Sequence, residues 1–509
     1  MPDLSLDTLR RDAKRLHRAH AAGELQARQR VLQHPPRPDG QALKHADFLH
    51  VIAQENGFAS WPQLKLAAET MGLSRATALQ RLKIALAHGR IPVVEALLSE
   101  WPDLAEGHFG LACALYQQAE VEAALVRDPA LATTPAGPRR PILHLAFSRW
   151  IHARPELEPD MLAVAEALLA HGADVNDSMP VAPDNDHPLS ALYGAIGHAD
   201  NMVLAQWLLD RGADPNDGES LYHATELGHL RGLRMLLTAG ADPRGTNALL
   251  RAMDFHDHAA VALLLEHGAR PDDFNDAELA GEPPWVVPAL HQAARRGSDA
   301  RMVAMLLEAG ADPGCVYQGA SAYGFARVHG ARPVVEAIEA RGAAVPLGPE
   351  ETLLARAAEG LDSPGRYIDP AKLPEAYRHI LREILHLPGK LDHLRRLVDL
   401  GLPTDQPDEM GLTPVQVAGW EGLPEIMGFF LRMRPDLGHV NGYGGTLFTT
   451  ILHGAENAPD RDRRDHLGCL RMALEHGVAL PRREIGYVGR DEIRFFLEDW
   501  AERHPGQVV

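Results

Sequence analysis

Short apolar stripes recur along this chain, each closed by a pair of leucines and then a glycine. Leu-Leu-x-x-Gly-Ala-Asp occurs at 168–174, 208–214, 236–242 and 306–312, with Leu-Leu-Glu-His-Gly-Ala-Arg at 264–270. A second stripe lies upstream of each. Within 219–242, Leu221, Ala224 and Thr225 precede Gly228-His229, after which Leu233, Leu236 and Leu237 fall at i, i+3 and i+4 on one helix face. The pattern predicts two short antiparallel helices per repeat, the second ending at a glycine free to turn left-handed. Gly172, Gly212, Gly240, Gly268, Gly310, Gly342, Gly401 and Gly477 mark such ends. Their recurrence predicts a stack in which no repeat completes a core alone.

The segment Gly411-Leu-Thr-Pro-Val-Gln-Val-Ala418, followed by Gly422-Leu-Pro-Glu-Ile426, resembles the opening of an ankyrin repeat and its turn into the second helix. Partial copies are Pro141-Ile-Leu-His-Leu-Ala146 and Pro288-Ala-Leu-His-Gln-Ala-Ala294. The resemblance spans roughly 76–481 and implies an all-α ankyrin-repeat solenoid of about eleven helix-turn-helix units, with at most short hairpin turns. Between Gly212, Gly240 and Gly268 the repeats are shorter than the family's ~33 residues, so their hairpin fingers are expected to be turns.

Wider spacings place insertions near 151–160, 178–188, 273–287, 360–392 and 456–466. Proline-rich Met179-Pro-Val-Ala-Pro-Asp-Asn-Asp-His-Pro188 reads as a surface loop. In 371–386, Leu373, Tyr377, Ile380, Leu381 and Ile384 predict an added helix. Residues 1–72 differ in kind. Leu6, Leu9, Ala13 and Leu16 mark one helix, Leu43 to Ala53 another, and Ser60-Trp61-Pro62 opens a third with Ser60 as its N-cap. Phe58-Ala-Ser-Trp-Pro-Gln-Leu-Lys65 resembles a motif of helical N-terminal regions in bacterial ankyrin proteins. The expected organisation is a helical cap at 1–72, the solenoid at 73–481 and a C-terminal capping helix at 482–509.

A net charge of −19 argues against a nucleic-acid surface, although residues 1–38 carry eight Lys/Arg against four acids. That basic helix opens a subsidiary reading, an adaptor to nucleic acid or membrane. No stretch approaches the roughly 18 apolar residues of a membrane span, and no secretory signal opens the chain, so a cytoplasmic monomer is expected. Cys113, Cys315 and Cys469 are too scattered for a disulfide framework or zinc site.

Chemistry-bearing patterns are few. There is no Gly-x-Ser-x-Gly or His-Glu-x-x-His, and Asp254-Phe-His-Asp-His258 lacks partners, so no catalytic residue, metal or cofactor is assigned. His144 and His291 occupy the family's first-helix histidine, which the resemblance implies bonds neighbouring backbone. His171, His267 and His476 sit beside the last carbonyls of helices.

The resemblance further implies a concave groove whose exposed positions precede the inter-helix glycine. They fall on Ser148, Arg149 and Trp150; Gly197 and His198; Glu226 and Leu227; Asp254 and Phe255; Arg295 and Arg296; Val328 and His329; Trp420 and Glu421. Tryptophan, phenylalanine and arginine are residue types enriched at binding hot spots. The expected function is a protein-interaction scaffold anchored by Trp150, Phe255 and Trp420. The rival is an enzyme or small-molecule binder whose insertions close a pocket lined by two or more of His198, His256, His258, Asp254, Arg295 and His329.

Overall fold

The computed structural model describes residues 5–37, 42–273 and 287–509. Eleven antiparallel helix pairs occur among the described residues, six between Arg75 and Glu266 and five between Ala289 and Glu475. First helices pack on first helices, as Phe109–Ala114 does on Pro141–Ala146 and Pro414–Trp420 on Leu447–Asn457. The leucine pairs of the second helices fill the seams: Leu168, Leu208, Leu236, Leu264 and Leu306 are all fully buried. Two compact units emerge. One is chiefly Ala53–Pro288, and the other comprises Arg11–Ile52, Ala289–Leu307 and Asp312–Val509.

Every part of the recurring phrase has a mechanical role. Ala173 N donates to Leu168 O (3.0 Å) and Gly172 N to Leu169 O (3.0 Å), a Schellman closure repeated at Ala213, Ala241 and Ala269. The glycines sit at φ near +95°, for instance +97° at Gly172 and +98° at Gly268. The aspartate then folds the chain onward: Asp174, Asp214 and Asp242 each accept from the amide two residues ahead at 2.9–3.0 Å. Asn176 Oδ1 accepts from Asp214 N, and Asn216 Oδ1 from Asp242 N, both at 2.8 Å, tying each turn to the next. Between Gly212 and Gly240, where the spacing leaves no room for a finger, the Asn216 bond stands in its place. Gly268→Ala is expected to cost about 1 kcal/mol, because alanine resists positive φ, and a lowered urea midpoint would register it.

The N-terminal residues fold as Leu6–Ala21, Leu25–Gln33, His45–Glu55 and Trp61–Thr70. The second of these lies between the stripes that the sequence marks. Residues 11–52 belong to the compact unit that also holds the C-terminus, and residues 1–10 and 53–72 to the other. The partner of residues 11–52 is the helix Asp491–Arg503. The His45 ring stacks on Phe495 at 3.7 Å, Lys14 Nζ meets Glu502 at 2.6 Å, and Arg18 bridges Asp499 and Glu502 at 2.6 Å each. Two of the basic residues, Lys14 and Arg18, are thus used internally. Ser60 occupies the N-cap position, yet its hydroxyl makes no capping bond; Gln63 instead accepts from Ala59 N at 3.2 Å.

The insertions are more ordered than expected. The 178–188 loop is a hairpin, Ser178–Ala182 against Asn185–Ser190, which tolerates the Pro180–Pro188 pair because both strands are edges. The 151–160 segment winds through two 3-10 turns into the helix Glu158–Ala170. The helix expected at 371–386 is broken into turns at Pro370–Lys372 and Glu375–Tyr377, then a short helix, Ile380–Ile384. Pro374 cannot donate an amide there, and the residue before it, Leu373, takes extended backbone (φ −70°, ψ 140°) that ends the turn. The 273–287 insertion lies almost entirely outside the described residues. The C-terminal end holds two helices, Arg482–Tyr487 and Asp491–Arg503.

Candidate partner-binding cleft

The first helices end where the groove positions were expected, but the side chains there have divergent fates. Trp150 is 4 % exposed and packs inside the first unit, so it is not available to a partner. Arg295 and His329 are also buried, at 7 % and 0 %. The insertion 360–392 explains both. It folds back over the first helices: Ala376 N donates to Gln318 O (3.2 Å), the Tyr377 hydroxyl to Glu351 (2.8 Å) and Lys390 Nζ to His329 O (2.5 Å). Glu383, on Ile380–Ile384, then reaches His329 Nε2 at 3.3 Å and Arg295 Nη2 at 3.8 Å. Burial opposes its ionisation, but Arg295, His329 and Arg382 outweigh burial and hold its carboxyl down at about 2. Two expected contact residues therefore serve an internal ion network.

In the first unit Phe255 is presented, 46 % exposed, beneath the Arg251 guanidinium at 4.8 Å. Arg251 also bridges Glu226 (2.7 Å) and Asp254 (3.3 Å). Glu226 binds His223 Nδ1 at 2.9 Å, while His223 Nε2 meets the buried Glu219 at 3.1 Å. Burial alone would depress His223, yet the two carboxylates raise it to about 9. Leu227 is half-buried beside this network. His198 is half-buried against Phe147, its ring 5.2 Å away.

Trp420 and Glu421 share a larger feature in the second unit, a cleft of about 940 Å³. The half-buried indole lies 5.1 Å from the His453 ring. Its backbone is gripped closely, since a Cβ on Gly454 would fall 2.2 Å from Trp420 O. Gly454→Ala is therefore expected to push the helix Leu447–Asn457 off Trp420, costing about 1–3 kcal/mol as overpacking does, with altered tryptophan fluorescence as the readout. Across the cleft stand Tyr443 and Tyr487, 67 % and 82 % exposed, and Arg382, whose Nη1 holds Asp408 at 3.0 Å. Asn441 shapes the Tyr443 turn by accepting from the amides of Tyr443 (3.1 Å) and Gly445 (2.9 Å). Burial holds the Glu421 carboxyl above its ordinary range, against the pull of Arg464 and Arg296. None of the six residues expected to line an enzymatic pocket lines this cleft.

The ankyrin-repeat family model matches residues 288–317, the segment in which His291 Nε2 bonds Ala320 O of the following hairpin at 3.1 Å. This segment is an ankyrin repeat. An ankyrin repeat domain from Acinetobacter baumannii is 23 % identical, with a TM-score of 0.30, covering 40 % of this chain and 97 % of that one. The ankyrin repeat domain of Bcl-3, of the IkappaB protein family, is 20 % identical, with a TM-score of 0.34, covering 46 % and 98 %. No curated protein matches the chain.

Other features of this chain agree with ankyrin-repeat chemistry. His144 Nε2 bonds Ala136 O at 2.8 Å, and His171, His267 and His476 each turn Nδ1 to the carbonyl four residues back at 2.8–2.9 Å. Cys113 and Cys469 are buried, which raises both thiols far above their usual range. No described helix is long and apolar enough to cross a membrane. Sequence reasoning missed Arg251, Glu383, Tyr443 and Tyr487. Arg251 was findable, being three and four residues before Asp254 and Phe255 on one helix. Glu383 and Tyr487 lie on the short helices Ile380–Ile384 and Arg482–Tyr487 and Tyr443 in a turn, and no spacing along the chain links any of them to the distant residues they meet.

Proposed function

We propose that this chain is an ankyrin-repeat binding scaffold that takes a segment of a partner protein in the Trp420 cleft. The observation that carries the reading is the convergence of Trp420, Tyr443, Tyr487 and Arg382 on one cavity of about 940 Å³. Aromatic side chains offer large contact area at little entropic cost, and half-buried indoles with exposed tyrosines around them match the make-up of binding hot spots. Ankyrin repeats are interaction modules as a class, which supports a protein partner. Phe255, with Arg251 stacked upon it, offers a second, smaller anchor.

Affinity capture followed by titration of recovered partners tests this. Trp420→Ala combined with Tyr487→Ala is expected to weaken binding by at least about 2 kcal/mol, roughly thirtyfold. Recovery of the same partners at the same affinity by the variant would show that the cleft is not the docking site.

A further inference from the structure

A second cavity, of about 490 Å³, lies in the first unit and differs sharply in charge from the acidic protein around it. None of the side chains lining it is acidic, while Lys83 and Arg139 both line it. Arg139 is delivered by a hairpin tip, where Ala136 N bonds Arg139 O at 2.9 Å around Gly137-Pro138. Its guanidinium lies 4.8 Å over the Phe147 ring and forms no ion pair among the described residues. Lys83 forms none either. Behind Phe147, Arg149 spends its Nε on the carbonyl of His198 (2.7 Å), and the buried His198 Nε2 has no hydrogen-bond partner. Glu120 accepts from the amide of Gly107, one of the lining residues, at 3.3 Å.

A half-buried guanidinium with no counter-charge is costly to maintain, and such costs cluster where a ligand supplies the missing group. Burial lowers the Arg139 pKa, and no carboxylate acts against it. Leu86, Leu111 and Phe147 provide apolar walls beside the cation. We infer that this pocket receives a carboxylate carried on an apolar stem, the carboxylate paired in a two-point fork with Arg139 and drawn in by Lys83. The stem lies against Phe147. This inference is independent of the Trp420 cleft, which lies in the other unit.

Two sources share that chemistry, the carboxyl end of a peptide and a free small carboxylic acid, and the experiment separates them. The full chain is titrated calorimetrically with 3-phenylpropionate, its amide, and an apolar tetrapeptide ending in phenylalanine with a free or an amidated C-terminus. Binding of the carboxylate forms and not of the amides is expected, and the tighter of peptide and small acid names the source. Arg139→Gln should weaken the carboxylate form at least about tenfold, with Arg139→Lys intermediate because a point charge replaces a fork. Lys83→Glu, at an exposed position, provides the same test should Arg139→Gln misfold, and is also expected to weaken binding. Equal binding of acid and amide, or undiminished binding by both variants, overturns the proposal, as does the absence of any carboxylate binding up to about 10 mM.

Discussion

Replacing Glu383 by alanine should destabilise the protein by about 3–5 kcal/mol, the usual penalty for removing one partner of a buried ion pair. Arg295 is 7 % exposed and His329 is fully buried, so neither can turn to water when the carboxylate disappears. Both nitrogens of His329 are committed, Nδ1 to Phe325 O at 2.9 Å and Nε2 to Glu383 at 3.3 Å. The insertion helix would also lose its charged tether to the first helices. Arg295→Met together with Glu383→Met should recover most of the loss, because a well-packed apolar pair avoids the desolvation of both ions. Urea unfolding followed by circular dichroism measures both variants. A loss below about 1 kcal/mol in the single variant would mean the network is solvated and of little consequence.

Acidification should produce the second large effect, a fall in stability as pH drops from about 6.5 to about 4. Burial lowers His45 and His291 to about 4 and His393 to about 3. Neighbouring cations and histidines push in the same direction, His17 and Lys14 at His45, and Lys390, His329 and Arg396 at His393, while Asp491 partly opposes the shift at His45. A base whose folded pKa is depressed stays neutral in the fold while the unfolded chain takes up protons. Its contribution is therefore full above about 6.5, drains away as pH falls toward the folded value, and changes no further below it. At about 1.4 kcal/mol per pKa unit, His45 and His291 correspond to about 3 kcal/mol each and His393 to about 5 kcal/mol, so together they rival the whole stability of an ordinary domain.

His223 works in the opposite sense. Raised to about 9 by Glu219 and Glu226, it contributes fully below about 6.5, and that contribution is lost as pH climbs through about 9. The urea midpoint should therefore peak near neutrality and fall on both sides. His393→Leu is the sharpest check, since neither ring nitrogen of His393 has a hydrogen-bond partner. It should flatten the acid limb; an unchanged limb, or a wild-type midpoint constant from pH 7 to 4.5, would contradict the assignment.

Much of the architecture was legible because a repeat writes the same physics several times over. Leu168, Leu208 and Leu236 are buried, and Gly172, Gly212 and Gly240 are left-handed, for reasons visible within a few residues of each. The groove residues were less legible. Position in the repeat located Trp420, Glu421 and Phe255 at a presented surface, but the same rule also selected Trp150, Arg295 and His329, which are buried. What separates the two sets is an insertion or a neighbouring segment lying over the position, and repeat spacing shows that an insertion exists without showing where it folds.

The recurring leucine pairs, terminal glycines and turn-forming aspartates by themselves determined helix pairs stacked in order. The glycines and aspartates act through bonds within a few residues, and the leucines mark on every repeat an apolar face that its neighbour must cover. Tertiary structure alone decided three things. It brought Glu383 across 54 residues to His329, docked Lys14 and Arg18 on the C-terminal helix, and gathered Trp420, Tyr443 and Tyr487 around one cleft. Charge pairing and aromatic convergence depend on distances through space, and no local pattern encodes these.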